Sequence, residues 1–125
     1  MELLKKLNKH GIDTESVITR LGGNVPLYLS ICKKFLFDTS YPKLMEALSL
    51  GSISDAKMHI HTLKGVAANL GFQYMHALCK HILTAMEQCE LKCFEHDINC
   101  LSDEYKIIIA ILSDNGPGQK LNSSN

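Results

Sequence analysis

Apolar residues return at steps of three and four through almost the whole of this chain. The clearest run is Ile98, Leu101, Tyr105, Ile108 and Leu112, one stripe along an α-helix. Burying each such stripe is the main favourable term in folding, and an isolated helix of this length is marginal in water, so the helices must pack on one another. No segment reads as a convincing strand, and no internal repeat is present.

Turn and cap residues divide the pattern. Residues 1–10 read as a lead-in or a short helix. Asp13 or Thr14 can cap a short helix to Leu21, which Gly22-Gly23-Asn24 stops. A second begins near Pro26, a residue suited to the first turn, and turns Tyr28, Ile31, Cys32, Phe35 and Leu36 inward until Asp38-Thr39-Ser40 breaks it. Thr39 or Ser40 can cap the next, with Leu44, Ala47 and Leu48 inside and Gly51 at its end. Ser52 and Asp55 have capping-box-like spacing, so Ser52 or Ser54 is expected to start a helix to about Leu70 that ends at Gly71. The following helix, from near Phe72, carries Met75, Leu78, Cys79, Ile82 and Met86 inward, and a hinge over Glu90 to Glu95 leads to the last. The expected fold is all-α: an antiparallel up-and-down four-helix bundle with one or two short extra N-terminal helices. Its domain spans residues 11–115, and 116–125 form a disordered polar tail.

Composition narrows the class. With 125 residues, 46% of them hydrophobic, the chain can bury a core without disulfides or metal. Thirteen basic residues balance thirteen acidic ones, which argues against nucleic-acid binding and against a polybasic membrane anchor. No apolar run approaches the roughly 20 residues of a membrane helix. The start, Met1-Glu2-Leu3-Leu4-Lys5-Lys6, lacks the features of a signal peptide. The odd set Cys32, Cys79, Cys89, Cys93 and Cys100 then reads as reduced thiols of a cytoplasmic protein.

Chemistry concentrates in His59-Ile60-His61-Thr62-Leu63-Lys64-Gly65-Val66-Ala67-Ala68-Asn69-Leu70-Gly71. On a helix, Ala56, Ile60, Leu63, Ala67 and Leu70 form the core side, and His61 points almost directly away from it. Lys64 and Gly65, three and four residues on, flank it, with Lys57, Met58 and Ala68 completing the neighbourhood. Imidazole can be an unprotonated nucleophile near neutral pH, which makes an exposed histidine suited to accept a phosphoryl group. Lys64 can offset the charge so gained. A glycine inside a helix costs about 1 kcal/mol relative to alanine, so Gly65 suggests close approach by a partner or by the histidine ring.

His61-Thr62-Leu63-Lys64-Gly65, followed by Ala67-Ala68-Asn69-Leu70-Gly71, resembles the signature of bacterial histidine phosphotransfer (HPt) domains. Leu21-Gly22-Gly23-Asn24 followed by Tyr28 and Phe35 resembles their early helices, and the likeness runs from about Gly11 to Asp114. It implies a four-helix bundle, a phosphohistidine at His61, phosphoryl support from Lys64 and a docking surface around Gly65. The implied partners are receiver domains of response regulators or of a hybrid sensor kinase. They would bring the magnesium ion, so the chain needs no cofactor of its own and acts as a carrier without ATP-dependent activity. A monomer is expected, free in the cytoplasm or as the cytoplasmic C-terminal part of a membrane-bound hybrid kinase. Many members carry Gln or Glu 22 positions after the histidine; here Leu83 stands there, leaving Thr84, His81 or water to orient the ring.

The rival readings are plainer. His59 borders the core face and lacks the lysine and glycine that follow His61, so it is read as a structural or half-buried histidine. His76, Cys79 and His81, and Cys89, Cys93, His96 and Cys100, have turn-like spacings without the tight pairs of zinc sites, so no metal site is expected. No nucleophile-turn motif surrounds any cysteine. The dimerisation domain of a sensor kinase would normally show an acidic residue or Asn directly after the histidine, where Thr62 stands. A non-catalytic helical adaptor is the remaining alternative.

Overall fold

The computed structural model describes residues 2–88 and 94–113. These form seven α-helices: α1 (Glu2–Lys9), α2 (Thr14–Arg20), α3 (Val25–Lys34), α4 (Ser40–Ser49), α5 (Ile53–Leu70), α6 (Gln73–Gln88) and α7 (Glu95–Ser113). A 3₁₀ turn, Phe35–Phe37, follows α3, and the described residues contain no strand. The all-α bundle is as expected. Helix α5 packs most extensively on α4 and α6, α6 packs on α7, and α1 to α3 lie against α5 and α7. Short turns at Leu50-Gly51-Ser52 and Gly71-Phe72 make neighbouring helices antiparallel.

One continuous core holds the bundle together. It takes Ala56, Ile60, Leu63, Ala67 and Leu70 from α5, and Met75, Leu78, Cys79, Ile82 and Met86 from α6, each set as read from its periodicity. Each fully buried Leu, Ile, Met or Phe contributes about 1.5–3 kcal/mol by leaving water. Phe35 meets Phe72 and Tyr105 edge-on, with ring centroids 5.3 and 5.8 Å apart, which joins the end of α3 to the α5–α6 turn and to α7. Leu3 and Leu7 of α1 belong to the same core. The expected tail, most of the expected hinge, Cys89 and Cys93 lie outside the described residues.

Several local details differ from the sequence reading. Asn24, read as stopping α2, is the N-cap of α3, its side-chain oxygen accepting from Leu27 N at 3.0 Å. Ser52 is the N-cap of α5, but its hydroxyl makes no capping bond. Thr39 is the N-cap of α4, as one of the two residues expected there, but its hydroxyl makes no capping bond; Asp38 instead accepts from Ser40 N at 2.8 Å. Ile31, Leu36, Leu48 and Tyr105 are half-buried rather than fully inside. On α7 the inward stripe also includes Glu104, 5% exposed, whose Oε2 lies 2.9 Å from His10 Nε2. The pairing answers the cost of a buried carboxylate and clips the segment after α1 to α7.

The turn from α5 to α6 is tied from several sides. Gly71 caps α5 at φ +81°, its carbonyl accepts from Asp13 N at 3.0 Å, and the Tyr28 hydroxyl donates to Leu70 O at 2.9 Å. A β-carbon on Gly71 would lie 2.6 Å from the Asp13 carbonyl oxygen, so only glycine fits between α5 and the start of α2. This anchoring fixes the rotation of α5, and with it which residues face outward.

Candidate functional site

The outward face of α5 carries the candidate residues. His61 is exposed, midway along the helix. Gly65 and Ala68, one and two turns further on, are exposed, and Met58, one turn before, is 55% exposed. Lys57 and Lys64 are half-buried. His59 is half-buried as well, the second of the two expectations for it. The sequence-predicted residues thus fall on one surface strip. His61, Gly65 and Ala68 form its ridge, and Lys64 leans to the α6 side.

Helix α6 defines that side of the strip. Burial pushes the Cys79 thiol up to about 12, against the opposing pull of the Lys64 charge. The His76 ring reaches the same turn: its Nδ1 donates to the Lys64 carbonyl at 3.1 Å. Sequence reasoning gave His76 no such role. Its contact depends on the pairing of α5 with α6, which no periodicity within one helix contains.

The space above Gly65 is open. A β-carbon there would meet nothing within 4 Å, so neither core packing nor the His61 ring requires the glycine. The surroundings of the ring are equally plain. Leu83, 22 positions on, is half-buried against the core. Thr84 donates its hydroxyl to Lys80 O of its own helix at 3.1 Å, and His81 Nδ1 bonds Asp97 Oδ2 at 2.7 Å. Neither side chain holds His61, and no other described residue bonds its ring.

The geometry offers an accessible imidazole, a nearby cation and a low surface on which another protein can lie. Among the described residues no group of three His, Cys, Asp or Glu side chains could hold a metal ion, and no helix is long and apolar enough to cross a membrane. Cys100 and His96, a turn apart on α7, contact each other at 3.6 Å, and Cys79 points into the core.

No curated protein and no solved structure matches the chain. The model of the Hpt domain family matches residues 38–110, which takes in α4, α5, α6 and most of α7. A match over more than half of an all-helical chain shows that this protein belongs to the Hpt domain family, whose general role is histidine phosphotransfer in phosphorelays.

Proposed function

We propose that His61 is the phosphorylated residue and that the chain carries the group between aspartates of receiver domains. The observation that carries this reading is the exposure of His61 on a helix whose next turn offers Lys64 and an unobstructed Gly65. In the forward step, an unprotonated ring nitrogen attacks the phosphorus of a receiver's aspartyl phosphate. The N–P bond forms as the acyl O–P bond breaks, and the aspartate leaves as a free carboxylate. The reverse step delivers the group to a second receiver. Such transfer depends on positioning and charge neutralisation more than on covalent machinery. The receiver brings the magnesium ion and its acidic pocket. This chain brings the nucleophile, the Lys64 charge and a surface low enough for contact.

The half-buried position of Lys64 suits it to the phosphorylated state. A half-buried side chain has less freedom left to lose when its ammonium turns towards a phosphoryl oxygen. The His76 bond to the Lys64 carbonyl steadies the same turn of backbone.

The test is transfer from a ³²P-labelled receiver. Wild type should gain an acid-labile, base-stable label. His61→Gln should gain none, with its helical circular dichroism unchanged because the side chain is exposed on the helix surface. An undiminished label on that variant would overturn the assignment. Labelling by ATP and magnesium alone would favour a kinase fragment instead.

A further inference from the structure

Beside the strip, between α2 and the α5–α6 turn, lies a cleft of about 300 Å³. Val17 and Ala68 form part of its apolar wall, and Asp13, Arg20, Gln73 and His76 supply its polar groups. Ala68 belongs both to this cleft and to the ridge through His61 and Gly65. It lies seven residues, or about 10 Å of helix, from the histidine. A protein that covers Gly65 and Ala68 therefore reaches the edge of the cleft.

The polar groups are not equally available. Asp13 is engaged: one carboxylate oxygen accepts from Ser16 N at 3.4 Å and the other from Gln73 Nε2 at 3.2 Å. His76 commits Nδ1 to the Lys64 carbonyl, which leaves Nε2 without a partner among the described residues. The Arg20 guanidinium is exposed and forms no ion pair with any described residue. Asp13 keeps its charge but has both oxygens occupied by neutral donors, so the cleft's uncommitted charge is that of Arg20, with His76 Nε2 and the Gln73 amide oxygen as its uncommitted neutral groups.

We infer that this cleft is a specificity subsite that takes an acidic side chain of the docked receiver domain, with Arg20 as its charged partner and Ala68 as its wall. The inference rests on the docking face proposed above. Charge pairs at the rim of an interface govern encounter and choice of partner more than the chemical step. Arg20 accordingly selects among receivers without touching the phosphoryl group.

The experiment uses phosphorylated receiver domains, each labelled with ³²P from acetyl phosphate, and takes the one that labels the wild-type chain fastest. Arg20→Glu should raise the KM for that receiver roughly tenfold and leave the rate at saturating receiver unchanged. Arg20→Lys should keep most of the affinity, and Arg20→Gln should flatten the dependence of KM on salt. Ala68→Phe, which fills the cleft, should also raise KM. Wild-type KM values and salt dependence in all three Arg20 variants and in Ala68→Phe would overturn the subsite while leaving His61 as acceptor. A raised KM in Ala68→Phe with silent Arg20 variants would overturn the acidic occupant. Absence of any label on wild type would overturn this inference together with the reading on which it rests.

Discussion

Two glycines six residues apart on and after α5 illustrate two different reasons for the same residue. Gly71 is explained inside the molecule: its φ of +81° and the 2.6 Å approach of the Asp13 carbonyl to a would-be β-carbon exclude any side chain. Gly65 is explained by nothing inside it, since it lies within the helix with open space around it. The fold would gain from a better helix former there. A residue that costs stability and relieves no internal contact points to a demand from outside, and here that demand lies one turn from His61. The first glycine belongs to the architecture that orients α5, the second to what α5 presents.

The contrast can be broken by experiment. Gly71→Ala should give the largest change in stability, a loss of about 3 kcal/mol from the left-handed backbone and the clash with Asp13, read from urea unfolding. An unaltered midpoint would show that the approach of α2 relaxes freely. Gly65→Gln should invert that result. The unfolding midpoint should hold or rise slightly, while the KM for a phosphorylated receiver rises about tenfold, equivalent to ~1.4 kcal/mol of docking energy. Equal transfer kinetics with wild type would remove the docking role. Lys64→Ala should have the smallest effect, a severalfold slower transfer rate worth less than about 1 kcal/mol, because a partly exposed charge is screened by water. An unaffected rate would remove its role in supporting the phosphoryl group.

Much of the fold was legible because a helix records its buried face in its own sequence. The inner stripes of α5 and α6 follow from a period of 3.6 residues alone. Glu104 was not legible. The step of four from Leu101 to Tyr105 satisfies the same period as the step of three to Glu104, and the choice is made by His10, 94 residues away, which supplies the carboxylate with its partner. Tyr105 is left half-buried and stacks on Tyr41 with ring centroids 3.9 Å apart, a contact between helices far apart in sequence. Asn24 misled for a related reason: the same residue can end one helix or start the next, and only the bond to Leu27 N decides.

The site divides in the same way. His61, Lys64 and Gly65 share one helix, so their common face could be read from spacing. The half-burial of Lys64, the bond from His76 to its carbonyl and the cleft shared with Arg20 all depend on how α2, α5 and α6 meet. The orientation of the His61 ring belongs to this second group. The candidates nearest in sequence to Leu83, Thr84 and His81, bond to Lys80 and Asp97 instead. Sequence spacing placed them near the ring, but the contacts of α6 with α7 and with itself took their bonding groups elsewhere.

The central claim is that one imidazole receives the phosphoryl group. The most direct measurement mixes the chain with a phosphorylated receiver and maps the modified peptide by mass spectrometry at neutral to mildly basic pH, where phosphohistidine survives. The account predicts a single phosphoryl group on His61 and none on His59 or His76. A group found on either of those histidines, or on a hydroxyl side chain, would contradict it.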